Sequence, residues 1–153
     1  MAVLITSEIC AIVQMLQYNN PNDEGNTMFS HVMLGANDIQ ESKAFYDAVL
    51  GTLGCKPGVV DEKGRCFWFS KTGVFAITRP IDGQPAFHGN GTTTGFAVDS
   101  PEQADAWHAA GIANGGVTCE DPPGVRQGNN GQIYLAYLRD PAGNKICALH
   151  RMG

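Results

Sequence analysis

The sequence predicts a mixed α+β domain made of two similar βαβββ halves. Two observations carry this prediction. The order of a strand, a capped helix and three further strands occurs twice along the chain, and turn residues separate short apolar runs of strand length. Each half would form a small mixed sheet with a helix on its outer face. The inner faces of the two sheets would then form a paired-sheet cleft, where ligands usually bind.

Bulk composition supports one soluble domain. The chain has 153 residues, of which 43% are hydrophobic and 16% charged, values that are ordinary for a globular protein. The net charge is −5 and the basic residues are scattered, which argues against a nucleic-acid partner. The apolar stretches are too short to span a bilayer, so we also expect no membrane partner.

Cysteine usage indicates the cytoplasm. The chain has five cysteines and no CxxC pair, so neither a disulfide scaffold nor a structural zinc site is expected. The first basic residue is Lys43, so the apolar start lacks the positive charge of a secretory signal. Reduced thiols in a cytoplasmic protein fit both observations.

Residues 1–27 are predicted to form a helical arm and linker ahead of a domain at 28–153. Ser7 can cap a short helix, and Ile9, Ile12, Val13 and Leu16 follow at helical spacing. Turn residues fill positions 19–26. The apolar stripe needs a covering surface, either on its own domain or on a second subunit, and the sequence leaves both open.

The first half should begin with a strand over residues 29–36. Asp38 and Glu41 have the spacing of a capping box, and the helix should end near Gly51 or Gly54. Strands are predicted at 58–60, 65–70 and 73–79. In the middle strand Trp68 must face away from its neighbours Phe67 and Phe69. One set joins the core and the other lines the cleft, and which is which stays open.

The second half repeats the order after a connection at 81–91. A strand at 92–98 precedes a helix start at Ser100 with Gln103 three positions later. The buried side of this helix should carry Ala104, Trp107, Ala110 and Ile112. A short strand is predicted at 118–120, a loop at 122–131, and a hairpin of strands 132–139 and 145–150.

The two ends of this domain resemble a known superfamily. His31-Val32-Met33-Leu34, Ser42 to Tyr46 and Leu50-Gly51 resemble the opening of a vicinal-oxygen-chelate protein, and residues 139–146, reading Arg-Asp-Pro-Ala-Gly-Asn-Lys-Ile, resemble its closing hairpin. The resemblance covers residues 28–150 and implies a divergent member of the glyoxalase/bleomycin resistance/dioxygenase group. Lyases, dioxygenases, transferases and drug-sequestering proteins share that fold, so it does not fix the chemistry.

The resemblance also implies four metal-ligand positions, and each is placed separately on this sequence. His31 matches the first. The other three fall on Ala76, Thr93 and Cys147, and neither a methyl group nor a threonine hydroxyl makes a good ligand. We therefore expect no cofactor and no metal, with a divalent ion as the minority alternative.

Other candidates for binding or chemistry lie near the expected cleft. Among these residues, His31 has the type of side chain whose ordinary pKa best suits general acid–base catalysis. Tyr137 should share a face with Cys147 if the hairpin pairs symmetrically about its turn. Arg126 lies in the predicted loop and could bind a carboxylate or phosphate, although a plain exposed loop arginine is the preferred interpretation. The candidate ligand-binding residues are His31, Ala76, Thr93, Cys147, Tyr137, Phe67 and Arg126.

These observations favour a metal-free protein that binds an apolar or aromatic small molecule and forms a homodimer. One alternative is an enzyme of the lyase, isomerase or dioxygenase type with an altered or metal-free site that uses His31. For either, we expect negligible glyoxalase I activity. A third hypothesis is an assembly module whose arm docks on a partner.

Overall fold

The computed structural model describes residues 28–128 and 130–153. The predicted arm and linker at 1–27 lie outside the described residues. The elements are β1 (His31–Gly35), α1 (Ile39–Gly51), β2 (Val59–Val60), β3 (Cys66–Phe69), β4 (Val74–Thr78), β5 (Thr94–Ala97), α2 (Pro101–Ala113), β6 (Val117–Thr118), β7 (Gly124–Gly128), β8 (Gly131–Arg139) and β9 (Lys145–Arg151).

The strands form two mixed sheets with matching topology. The first has the order β1-β4-β3-β2, and the second has the order β5-β9-β8-β6 with β7 also paired to β8. In each sheet the first strand runs parallel to the last, β1 with β4 and β5 with β9, and the other pairs are antiparallel. The two predicted βαβββ halves are confirmed.

The prediction of a loop at 122–131 is wrong in part, because it contains β7 (Gly124–Gly128). Two short strands, β6 and β7, therefore occupy the place beside β8 that a single strand fills in the first half. Pro122 and Pro123 lie between them and have no N–H to donate to a ladder. Glu120, just before the prolines, has a left-handed backbone with φ 57°, which also interrupts a strand.

Both helices begin where the sequence predicts. Asp38 accepts hydrogen bonds from the backbone N–H groups of Gln40 at 2.9 Å and Glu41 at 3.0 Å, and Ser100 accepts from that of Gln103 at 3.2 Å. The Gln103 side chain in turn accepts from the backbone N–H of Asp99 at 2.7 Å. These bonds satisfy N–H groups that the first helical turn leaves unpaired.

One apolar core joins both halves on the helix side of the sheets. Aromatic rings form a continuous series there, with Phe75 and Phe96, from different halves, 5.2 Å apart between ring centres. The predicted buried side of α2 needs one correction: Ile112 is exposed, and Gly111 is buried instead. A side chain at Gly111 would collide with Leu138, so glycine permits the close packing of α2 here.

Buried polar groups also connect the halves. The Tyr46 hydroxyl of α1 donates to Asp140 Oδ2 at 2.7 Å. The Asn144 amide donates to the same oxygen and to the backbone oxygen of Gly35, both at 2.8 Å. The turn between β8 and β9 is therefore held against the end of β1. In the part of the chain that the structure describes, no helix is both long and apolar enough to cross a membrane.

Candidate ligand-binding faces

Strand alternation decides which side chains point away from the helices. Trp68, Phe75 and Phe96 belong to the core on the helix side, so their sequence neighbours lie on the opposite side of each sheet. We call these opposite surfaces the first face and the second face. The first face carries His31, Met33, Phe67, Phe69, Val74 and Ala76. The second face carries Gly95, Arg126, Leu135, Tyr137, Lys145, Cys147 and Leu149.

The first face is aromatic and apolar. Phe67 pairs with Ala76 across β3 and β4, and Met33 pairs with Ala76 across β1 and β4. The rings of Phe67 and Phe69 stack with centres 6.4 Å apart. The structure thus answers the question that alternation left open, because Trp68 joins the core and the phenylalanines occupy the other face.

His31 lies at the edge of the first face. It begins β1 opposite Val74, and its side chain is exposed. Its Nδ1 atom is 2.9 Å from the hydroxyl of Ser30. A hydroxyl neighbour leaves either ring tautomer possible, so the imidazole can donate to or accept from a ligand.

The second face centres on Tyr137 and Cys147. These residues pair directly across β8 and β9, which confirms the symmetric hairpin register. Gly95 pairs with Cys147 on the other side, and a methyl group at Gly95 would come within 3.3 Å of the Cys147 sulfur. Burial raises the pKa of the Cys147 thiol. Burial and then the neighbouring Cys147 also raise the pKa of Tyr137, so both side chains stay protonated near neutral pH.

An ion pair beside Tyr137 escaped the sequence reasoning. Lys145 Nζ lies 4.8 Å from the centre of the Tyr137 ring, within the range of a cation–π contact. Lys145 also forms an ion pair with Glu120. The available signal was its position two residues before Cys147, which places both side chains on one face of a strand.

Arg126 lies on a strand, so its predicted loop position is wrong. It pairs with Ile133 across β7 and β8. Its guanidinium donates to the backbone oxygen of Pro122 at 2.7 Å, and its Nε is 3.9 Å from Asp121 Oδ2. Strand β7 therefore directs this cation to the second face.

The candidate residues fall into two groups. His31, Phe67 and Ala76 share the first face, while Tyr137, Cys147 and Arg126 share the second. Thr93 is exposed and precedes β5. Among residues 28–128 and 130–153, no hydrogen bond or ion pair joins one group to the other.

Three cavities among the described residues lie around these faces. One of about 220 Å³ is at the end of the second face, where Ile133, Leu149 and Arg151 line it. Another of about 280 Å³ lies on the helix side between the halves, beside Leu53 and Phe96. A third, of about 350 Å³, is at the end of β1. The first opens on the second face, and the second also reaches Val74 of the first face and Gly95 of the second face.

Comparison with protein families agrees with this topology. A family model described as the Glyoxalase/Bleomycin resistance protein/Dioxygenase superfamily matches residues 28–148. The chain belongs to the glyoxalase/bleomycin resistance protein/dioxygenase superfamily. Comparison with curated proteins found no match.

Solved structures agree with the superfamily assignment. A glyoxalase/bleomycin resistance protein from Albidiferax ferrireducens is 68% identical, with a TM-score of 0.79, over 81% of this chain and 99% of that one. An integron cassette protein of V. Cholerae is 25% identical, with a TM-score of 0.56, over 82% and 95%. A lactoylglutathione lyase from Agrobacterium tumefaciens is 20% identical, with a TM-score of 0.57, over 82% and 95%, which shows a shared fold.

A metal site in this glyoxalase-superfamily domain would need several donor side chains close together. Within the described ranges, no three or more His, Cys, Asp or Glu side chains are close enough together to hold an ion.

Proposed function

We propose that this superfamily member binds an apolar or aromatic small molecule on its two faces, without a divalent metal ion. The observation that carries the proposal is the composition of the first face. Phe67 and Phe69 stack beside Ala76, and aromatic rings next to a small side chain provide apolar contact area for a ligand. On the second face Gly95, Cys147 and Tyr137 form one row across β5, β9 and β8.

The chemistry of the donor positions supports the metal-free part of the proposal. The Ala76 methyl has no lone pair, and Thr93 is off the strand. Cys147 would have to lose its proton to bind a metal, but burial raises its pKa. His31 is then the single good donor among the four positions, and one imidazole holds a divalent ion only weakly.

We extend the proposal to a homodimer in which a second copy completes the site. Two large apolar side chains are exposed, one just before β1 and one in the connection after β4. Met28 is 85% exposed and Phe87 is 84% exposed. Such side chains favour burial in an interface. The described cysteines are all free thiols, and we propose the cytoplasm as the location on that ground.

A thermal-shift screen of neutral aromatic compounds tests the function. We expect hits to raise the Tm equally with EDTA and with added nickel or zinc, since binding of the folded state stabilises it. Metal analysis of the purified protein should find less than stoichiometric metal. Tyr137→Ala should reduce the rise in Tm that these compounds cause. Tyr134→Ala, on the opposite face of the same strand, should leave that rise unchanged. A ligand-induced rise in Tm that requires metal, or that is unchanged by Tyr137→Ala, would refute the proposal.

A further inference from the structure

Cationic side chains concentrate on the second face of an acidic protein. Arg139 pairs with Lys145, and Ile133 pairs with both Arg126 and Arg151. Paired residues of antiparallel strands point to the same side, so these four cations share a face with Tyr137 and Cys147. The whole chain has 10 Lys and Arg residues and a net charge of −5. Such a concentration on one face is therefore not a reflection of overall composition.

Apolar side chains lie between the cations. Tyr137 with Cys147, and Leu135 with Leu149, form two successive rows across β8 and β9. The cavity of about 220 Å³ beside Arg151 opens on the same face. A surface with an apolar floor and cationic edges complements a molecule that has an apolar body and an anionic group.

Two of these cations, Lys145 and Arg126, have acidic partners from the β6–β7 connection. Glu120 pairs with Lys145, and Asp121 lies near Arg126 at 3.9 Å. The Asp121 side chain is 85% exposed, so its contact with Arg126 contributes little. Glu120 holds the left-handed backbone that is uncommon for a residue with a side chain. The Glu120 side chain is 45% exposed, so a ligand anion can reach both ion pairs and replace either carboxylate.

We propose that the second face recognises the anionic group of a small amphipathic ligand, with Lys145 as the main cation and Arg126 as the second. The ligand's carboxylate takes the place of Glu120 on Lys145, and its apolar body lies against Tyr137 and the rows beside it. This inference rests on the proposed function and names the class of ligand, an aromatic or apolar carboxylate.

Three probes of one shape separate the two proposals: naphthoate, naphthylmethanol and naphthylmethylammonium, titrated by calorimetry in EDTA. The inference predicts that naphthoate binds most tightly and the ammonium probe least tightly. The advantage of naphthoate should shrink as salt is raised, because partly exposed charges are screened. Equal binding of the three probes at the Tyr137 face would overturn the inference and leave the proposed function standing. Absence of binding by all three at millimolar concentration would overturn both.

Variants identify the cation. Lys145→Gln should weaken naphthoate roughly tenfold, as expected for a lost charge-assisted hydrogen bond, and leave naphthylmethanol unchanged. Glu120→Gln should tighten naphthoate, since its competitor for Lys145 is gone. Lys63→Gln, at the exposed turn before β3, is the matched control and should bind naphthoate like the native chain. Equal affinity of Lys145→Gln and Lys63→Gln for naphthoate would overturn the role of Lys145.

Discussion

Asp47 organises the packing of α1 against the first sheet. Its Oδ1 accepts from the indole N–H of Trp68 at 2.9 Å and from the backbone N–H of Gly58 at 2.7 Å. Its Oδ2 pairs with Lys43 at 2.5 Å. Trp68 is 2% exposed, so its N–H has little access to water and depends on this carboxylate.

Removing the Asp47 carboxylate should cost stability. We expect Asp47→Ala to lower the free energy of unfolding by about 1–3 kcal/mol, because a buried donor loses its partner. Urea denaturation measures the change. Glu62→Ala, at the exposed turn between β2 and β3, should stay within about 0.5 kcal/mol of the native value. Equal effects of the two variants would contradict this role of Asp47.

The same carboxylate makes stability depend on pH. Burial alone would raise the pKa of Asp47, but hydrogen bonds from Lys43, Gly58 and Trp68 outweigh it and lower the pKa. A lowered folded pKa means that the stabilisation is complete above the ordinary carboxyl pKa of about 3.9 and is lost as pH falls through the folded value. The stability difference between the native chain and Asp47→Ala should therefore shrink below about pH 4. A difference that stays constant down to pH 2 would contradict the assignment.

The sequence could not predict this contact. Asp47 and Trp68 are 21 positions apart, and nothing local indicates which polar groups meet once a helix crosses a sheet. Alternation could place Phe67 and Trp68 on opposite sides, because that follows from strand geometry alone. It could not say which side faces α1, since that depends on the packing.

At the scale of elements, Gly111 sets the close approach of α2 to α1 and β8. A methyl group there would meet Leu138 well inside contact distance and come within 3.3 Å of Phe45 and Val49. We expect Gly111→Ala to destabilise the protein by about 1–3 kcal/mol, because overpacking outweighs the better helix propensity of alanine. Gly51→Ala, in α1 with nothing within 4 Å, should instead stabilise by up to about 1 kcal/mol. Thermal denaturation of both variants checks the contrast, and two changes of the same sign would contradict it.

The Tyr46 hydroxyl tests the connection between the halves. It donates to buried Asp140, and burial followed by Asp140 raises its pKa well above the ordinary value, so it stays a donor. Tyr46→Phe should lower the free energy of unfolding by about 1–2 kcal/mol. Tyr134→Phe, whose hydroxyl donates to Asp105 at an exposed site, should cost about 0.5 kcal/mol or less. Similar losses in urea unfolding for the two variants would argue against a special role of the buried bond.

The elements that the sequence predicts well are those with local signals. Asp38 and Ser100 mark helix starts by capping chemistry, and residues 140–144 mark a hairpin turn. Strand β7 was missed because Gly124 and Gly128 suggest a loop, and its pairing with β8 is a tertiary interaction that no local pattern reports. The ion pair of Lys145 with Glu120 was missed for the same reason, since it depends on where the chain leaves β6, which β8 separates from β9.

At the scale of the whole molecule, we predict a homodimer. Sedimentation velocity at micromolar concentration should show a dimer for the full chain. Phe87→Glu should shift it toward monomer, because a charge replaces an exposed apolar side chain proposed to lie in the interface. Ile112→Glu, on the exposed end of α2, is the control and should remain dimeric.

Truncation separates the contribution of the arm. A chain that begins at Met28 and stays dimeric shows that the sheets hold the pair, and one that becomes monomeric assigns the dimer to residues 1–27. A full-length chain that sediments as a monomer would contradict the dimer itself.

The proposed function depends on where a ligand binds and on whether binding needs metal. Chemical-shift mapping by NMR, with isotope-labelled protein in EDTA and naphthylmethanol as ligand, measures both at once. We expect shifts at Met33, Ala76, Tyr137 and Cys147 in the absence of metal. Shifts confined to the helix-side cavity beside Leu53, or shifts that appear only when nickel or zinc is added, would contradict it.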